Sequence, residues 1–491
     1  MGKSQRNKKN SFVQKLLNAV VVVLVVATVL VMLWGVLNSQ GVPHKLFNAV
    51  KVGDVGISVL EYNYYYETAL QNFYNQYYSI IGYLGIDFNK SFKKQDSGWG
   101  EEGGTWDDYF KELTNGYVSE AVVLSEAAKA KGMTLNEENK AEIEKTLEEN
   151  RKAAQSNQIS LKQFYAMYYG SGMNEKVLRN LMERQYLAAQ YVDELLESYQ
   201  YSDQQIKDYY TEHADDMDYF NYMKYSFSIA APQGNTDEEK KAWVDAVKAK
   251  AQEMCDKVTD RASFAALAVE YTEDETKKED YEDEDACYKH LLKSSVGVNE
   301  EEWVVSADRK NGDKTVVSGE STVDVILFLG RERESYKTVG VRHILISANM
   351  TATTAEATAA KEEAKAKAEA LLAKFKENGG TEEAFIALVA DNTDDEASIE
   401  DGGLYEKFAK GYMTEAFDAW AYDETRKKGD SAVVESDLGY HVMYFSDYGE
   451  EYWKVQARAA KQNEDYGAHL KELQEAAPLK VAGFGMNLAG R

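Results

Sequence analysis

Apolar positions along the chain follow three rhythms. The first is an unbroken uncharged run over residues 19–37, rich in valine and leucine. At ~1.5 Å per helical residue it would span roughly 28 Å, close to the thickness of a bilayer core. The second is a spacing of three to four, which dominates residues 50–210 and predicts helices. After a short strand pattern at Val50-Lys51-Val52, the residues Tyr62, Tyr66, Leu70, Phe73, Tyr77 and Ile81 share one helical face. Further helices are expected over 106–131, 136–153, 161–169 and 174–199, and Ser202-Asp203-Gln204-Gln205 reads as a capping box. The tyrosine stripe fits core packing or an exposed binding face, because the ring packs while the hydroxyl can stay wet. The third rhythm is that of strands. Val341-Arg342-His343-Ile344-Leu345-Ile346 and Leu438-Gly439-Tyr440-His441-Val442-Met443-Tyr444-Phe445 are apolar runs, each interrupted by one histidine.

The segment before these strands repeats them. Trp303, Gly312-Asp313, Val316-Val317 and Phe328 recur 117 positions later as Trp420, Gly429-Asp430, Val433-Val434 and Phe445. Lys248-Ala249-Lys250-Ala251 recurs at the same offset as Lys365-Ala366-Lys367-Ala368. Such self-similarity predicts two copies of one α+β unit. The first copy lacks the histidines. Tyr225 or Ser226 stands for His343, depending on a one-residue choice of alignment, and Asp324 stands for His441. Its residues 273–285 include nine acidic side chains. That block reads as a solvated loop, and without the D-x-D-x-D-G ligand spacing no metal is expected there.

Charge narrows the function classes. The 491 residues carry a formal charge of −27, and five of the positive charges (Lys3, Arg6, Lys8, Lys9 and Lys15) precede the first apolar run. So acidic a body excludes nucleic acid as a partner, since phosphates require cationic surfaces. The basic cluster followed by a 19-residue apolar run predicts an uncleaved membrane anchor, longer than the 7–15 residues usual for a signal peptide, with the N-terminus cytoplasmic and the body outside. Cys255 and Cys287 are the only cysteines, and their spacing leaves bonded and free states both open.

Several motifs follow the first histidine strand in order. They are Asn392-Thr393-Asp394-Asp395, Asp401-Gly402-Gly403-Leu404-Tyr405 and Lys410-Gly411-Tyr412-Met413-Thr414-Glu415-Ala416-Phe417, ending at Gly439-Tyr440-His441. This order resembles the parvulin family of peptidyl-prolyl isomerases, and the helical segment before a parvulin unit resembles SurA- and PrsA-type foldases. The resemblance implies a catalytic set of His343, Asp395 and His441, with Asp394 as a register alternative to Asp395. It implies a proline-ring slot of Tyr405, Met413 and Phe417, with Met413 and Phe417 on one helix. No cofactor or metal is implied. One departure stands out: the family's Gly-Gly-Asp-Leu-Gly turn is here Gly402-Gly403-Leu404-Tyr405-Glu406, with glutamate where a glycine is usual.

The expected fold is therefore α+β and multidomain. It comprises a basic tail (1–18), a transmembrane helix (19–37), a helical chaperone-like domain (50–215), a degenerate parvulin-like domain (219–331), a parvulin domain (338–448) and a C-terminal tail (449–491). The expected function is isomerisation of X–Pro bonds in secreted or surface polypeptides outside the cytoplasm, with chaperone-like binding of unfolded chains. The alternative is a holdase that binds such chains without catalysis.

Overall fold

Side-chain caps fix where the N-terminal helices begin. In the computed structural model, which describes residues 28, 32, 35–37, 39–100, 103–231 and 236–490, Ser58 and Glu61 form a capping box that starts α1 (Val59–Tyr77). Thr105 and Asp108 do the same for α2 (Trp106–Ala130). Asn136 caps α3 (Glu137–Ser156), Ser160 caps α4 (Leu161–Tyr169) and Asn174 caps α5 (Glu175–Ser198). Each cap satisfies an N–H that has no partner inside its helix.

The aromatic stripe of α1 is core. Tyr62, Tyr66 and Phe73 are buried against Trp106, Phe110, Val118 and Val122 of α2, with Tyr77 and Ile81 half-buried beside them. Two of its hydroxyls bond inside the protein: Tyr66 donates to Asp107 Oδ1 (3.0 Å) and Tyr62 to Asn115 Oδ1 (2.9 Å). These helices, with the described residues up to Gln200 and those from Gln462 onward, make one unit. Its small sheet pairs β1 (Asn48–Val52) with β2 (Val55–Ser58) and with a strand from the far end of the chain, Leu479–Val481. The C-terminal segment is thus part of this sheet.

The expected transmembrane helix is corrected. Among the described residues no helix is long and apolar enough to cross a membrane. The expected basic tail, 1–18, and most of 19–37 lie outside the described residues.

Residues 201–461 form the second unit, which holds two four-stranded antiparallel sheets. After α6 (Asp203–Glu212), the first sheet is built from β3 (Tyr219–Ser228), β4 (Tyr288–Leu292), β5 (Lys314–Ser318) and β6 (Thr322–Glu332), in the order β4-β3-β6-β5. Two helices, α7 (Asp237–Lys257) and α8 (Arg261–Tyr271), lie between β3 and β4. The second sheet is built from β7 (Lys337–Ser347), β8 (Leu404–Glu406), β9 (Ser431–Ser436) and β10 (Gly439–Glu451), in the order β8-β7-β10-β9. Between β7 and β8 come α9 (Ala355–Glu377) and α10 (Glu382–Asn392), and α11 (Glu415–Ala421) precedes β9.

The two sheets share one strand plan down to single hydrogen bonds. Gly312 N–H donates to Phe328 O at 2.9 Å, and Gly429 N–H donates to Phe445 O at the same distance. Both glycines hold φ near +90° (91° and 94°), a turn conformation open to glycine.

Side-chain alternation then divides each sheet into two faces. On the second sheet Ile344, Ile346, Val442 and Tyr444 pack under α9 and α10, with Phe375, Phe385 and Leu388. The opposite face presents Val339, Val341, Met443 and Phe445 to Phe408, Phe417 and Trp420. His343 and His441 belong to this second face.

Strand register corrects the comparison of the repeats. His343 faces Met443 across the ladder, and the equivalent Ile326 faces Lys224. Lys224, rather than Tyr225 or Ser226, therefore takes the histidine's place. The offset is 119 on β3 against 117 on β6, because the segments between them differ in length. Lys224 Nζ lies 2.7 Å from Glu300 Oε1 and 3.2 Å from Asp324 Oδ2, and both carboxylates are buried. Around this ion triad the face is filled by Phe220, Tyr222, Val296, Val304 and Phe328. Cys255 and Cys287, on the other side of the same sheet, are buried free thiols, and burial pushes Cys287 up to about 11.

Removing the cation from that triad strands two buried carboxylates. Lys224→Ala is expected to lower unfolding free energy by about 3–5 kcal/mol in urea titration. Adding Glu300→Gln and Asp324→Asn to it should recover much of the loss.

Candidate functional site

Antiparallel pairing of β7 and β10 sets His441 opposite Leu345 and His343 opposite Met443. The two histidines are therefore diagonal neighbours on one face. Their rings lie 5.4 Å apart and nearly parallel, at 23°, with Nδ1 to Nδ1 at 3.1 Å. Both are almost fully buried, at 4% and 3% exposure.

The loop after α10 brings the acid. Thr393 Oγ1 accepts the N–H groups of Leu345 and Asp395, each at 3.1 Å, which pins the loop to β7. Asp394 and Asp395 then part company. Asp394 accepts the Ser347 N–H at 2.8 Å along the strand, while Asp395 Oδ2 reaches His343 Nε2 at 2.8 Å. Of the two register alternatives, Asp395 meets the histidine.

The turn before β8 is equally determined. Arg342 holds it from below, donating to the carbonyls of Asp401 (2.6 Å) and Gly402 (2.9 Å) while pairing with Glu382. Gly403, at φ 75°, packs so closely that a Cβ would lie 2.4 Å from the His343 carbonyl oxygen. Only glycine fits there. Glu406 needs no such freedom, because it is the last residue of β8 and pairs with Gly340. The left-handed residue is the next one, Lys407, at φ 58°.

Proton positions in the site follow from valence. Tyr405 donates its hydroxyl to Asp395 Oδ2 at 2.9 Å. An ionised carboxylate only accepts, so His343 Nε2 carries a proton and donates to it. A neutral His343 then offers a lone pair at Nδ1, which takes the proton of His441 Nδ1. His441 Nε2 accepts in turn from Ser436 Oγ at 2.8 Å, and that oxygen accepts the Leu438 N–H at 3.1 Å. The bonds run in one direction, from Ser436 to Asp395. All four ring nitrogens are taken, so the pair offers neither a free lone pair to a metal nor a nucleophile to a substrate.

The charges agree with this assignment. Burial, opposed by Asp395, holds His343 below the usual imidazole value. Burial and then the neighbouring His343 push His441 down to about 4. For Asp395 burial acts upward, but hydrogen bonds from His343, Tyr405 and Ser398 outweigh it and keep the carboxyl below its ordinary value. Burial and the bond to Asp395 push Tyr405 up to about 12, so it stays a donor.

Over this polar floor lies an apolar wall. The Phe417 ring meets His343 and His441 edge-on at 5.6 and 5.5 Å, and the Tyr405 ring meets His343 at 5.2 Å. Tyr405 and Met413, both half-buried, pack against the same cluster as Phe417 and Phe408. Phe417 sits on α11, but Met413 precedes it, since Thr414 is the residue before the helix. All six expected residues thus meet in one place. Sequence reasoning missed Ser436, Thr393 and Phe408. The signal for Ser436 is a hydroxyl placed just before the Asp437-Leu438 hairpin, which pairs Ser436 with Gly439.

Residues 326–448 match the model of the PPIC-type PPIASE domain. Among solved structures, peptidyl-prolyl isomerase ESS1 from Candida albicans is 21% identical, over 22% of this chain and 62% of that one, with a TM-score of 0.18. Peptidylprolyl isomerase (PrsA) from Bacillus anthracis is 16% identical, over 60% and 99%, with a TM-score of 0.19. Foldase protein PrsA from Streptococcus pneumoniae is 15% identical, over 48% and 79%, with a TM-score of 0.20. No curated protein sequence matches the chain.

Because His441 titrates lower folded than unfolded, its contribution to stability is complete above about pH 6.5 and is lost as pH falls towards 4. Urea unfolding at a series of pH values should show stability falling through that window. The fall should be shallower in His441→Asn.

Proposed function

We propose that this chain, a parvulin-type peptidyl-prolyl cis–trans isomerase whose domain spans residues 326–448, is a foldase for newly exported polypeptides. The observation that carries the proposal is the one-way hydrogen-bond chain from Ser436 to Asp395 beneath the apolar wall of Tyr405, Met413 and Phe417.

The reaction needs little more than this. Rotation about an X–Pro amide is opposed by a barrier of ~18–20 kcal/mol, which comes from resonance between nitrogen and carbonyl. Every 1.4 kcal/mol or so removed from it is about tenfold in rate. The planar amide places partial negative charge on its oxygen, and the twisted amide places less. A proline ring seated against Met413 and Phe417 brings that oxygen over two neutral imidazoles whose N–H groups are already committed. No donor there rewards the planar form, and the ionised Asp395 beyond disfavours further negative charge. The environment thereby favours the twisted amide, with the ring held by apolar contact. In this proposal His343, His441 and Asp395 set the field, and Tyr405, Met413 and Phe417 hold the ring.

Chaperone-like binding belongs to the helical unit in this proposal. A cleft of about 400 Å³ there is lined mainly by apolar and aromatic groups, among them Tyr65, Tyr117, Leu124, Val192 and Tyr466. Action outside the cytoplasm rests on the basic-then-apolar pattern of the first 37 residues. The holdase reading has one observation in its favour: the first repeat keeps the sheet while its equivalent face is filled and carries an ion triad in place of the histidines.

In a protease-free assay with short X–Pro peptides, the full chain is expected to accelerate cis-to-trans relaxation. His441→Ala should lower kcat/KM at least tenfold, and Met413→Ala should act mainly by raising KM. Absence of acceleration with any peptide, from folded protein, would leave the holdase as the function. Activity should be flat from about pH 9 to 7.5, where both imidazoles, held below their usual value, are neutral. A bell-shaped profile centred there would show that they exchange protons with the substrate.

A further inference from the structure

A second polar cluster lies on the first sheet, where β3 and β4 run toward the end of β6 and the linker into β7. Asn221 on β3 sits opposite His290 on β4 and organises it. The Asn221 amide nitrogen donates to Glu332 Oε1 at 2.7 Å, which fixes the orientation of the amide. Its oxygen accepts the Tyr288 hydroxyl at 2.8 Å and faces His290 Nδ1 at 2.7 Å. An amide oxygen has no proton to give, so His290 Nδ1 is the donor and Nε2 holds the lone pair of the neutral ring. Tyr219 stacks on the imidazole at 4.3 Å and 11°, locking its plane.

That lone pair points at a carboxylate. His290 Nε2 lies 3.0 Å from Glu334 Oε1, and one ligand atom from each of His290, Glu332 and Glu334 lies within 4.8 Å of the others. Two acceptors that close need either a proton or a metal ion between them. An amide that takes the Nδ1 proton and also holds one of the carboxylates is the arrangement that orients a histidine for metal.

We propose that His290 Nε2, Glu332 and Glu334 bind a divalent transition cation of the Zn²⁺ class. An imidazole with two carboxylates suits that class, whereas Ca²⁺ and Mg²⁺ take oxygen ligands. Bound there, the ion ties the edge strand β4 to Glu332, the last residue of β6, and to the linker that leads into β7. None of its ligands belongs to the proposed isomerase set, and its role is to hold the linker rather than to catalyse.

Calorimetric titration of the full chain with Zn²⁺ at pH 7.5 tests this, beside His290→Ala and Glu334→Gln, each checked for fold by circular dichroism. The expected result is one saturable Zn²⁺ per chain, with affinity at least tenfold weaker in both variants. Co²⁺ should give a visible absorption band in the unmodified protein that His290→Ala lacks. Absence of saturable binding, or less than a tenfold loss in either variant, overturns the proposal. The cation between His290 and Glu334 is then a proton, and any Zn²⁺ taken up is held by the acidic surface at large.

Discussion

Everything at the isomerase site depends on the register between β7 and β10. With His343 opposite Met443 and His441 opposite Leu345, both imidazoles fall on the face that α9 and α10 leave free. A slip of one residue on either strand would turn its histidine under the helices and bring an isoleucine or valine out. The register is held from both sides. Ile344, Ile346, Val442 and Tyr444 are buried beneath the helices, and Val339, Val341, Met443 and Phe445 are buried on the opposite face. Placement of the two histidines here is a by-product of core packing.

A buried polar pair must then be satisfied or it destabilises the sheet. The two repeats solve this differently on the same scaffold. One threads neutral imidazoles into a hydrogen-bond chain that ends on a partly exposed carboxylate. The other neutralises Lys224 with two buried carboxylates. The ion triad closes on itself, and large side chains crowd around it. The imidazole chain sits beneath half-buried Tyr405 and Met413 instead, where a ring can approach. Identical topology thus carries two different faces, and the difference lies in a handful of side chains rather than in the fold.

Local patterns in the amino-acid sequence carry much of this architecture. Caps and three-to-four spacing place the N-terminal helices, because each cap is a local, residue-specific event. The histidine strands are legible because period-two alternation marks a face regardless of what covers it. Non-local facts are out of reach. Nothing local says that Lys224 faces Ile326, since an insertion between strands shifts one and not the other. The pairing of Leu479–Val481 with β1 joins segments more than four hundred positions apart, and three residues carry too little pattern to show it. Met413 has helical spacing to Phe417, yet the helix starts at Glu415, after it. The apolar run at 19–37 has the length of a membrane span, and no membrane-crossing helix stands among the described residues.

Tyr405 and Glu406 depart from the familiar turn together, and the structure gives a reason. The strand continues through Glu406, so the left-handed step moves one place on, to Lys407. With β8 extended this way, position 405 faces the site and has room for a ring. A leucine there could only pack. Tyrosine also donates to Asp395 from above while His343 donates from below, and the two donors share one carboxylate oxygen. Sharing lowers the basicity of that oxygen and weakens its pull on the His343 proton. His343 is thereby kept a neutral donor, and the direction of every bond back to Ser436 stays fixed. The altered turn is tied to the hydrogen-bond chain through Tyr405, so the two are to be understood as one change.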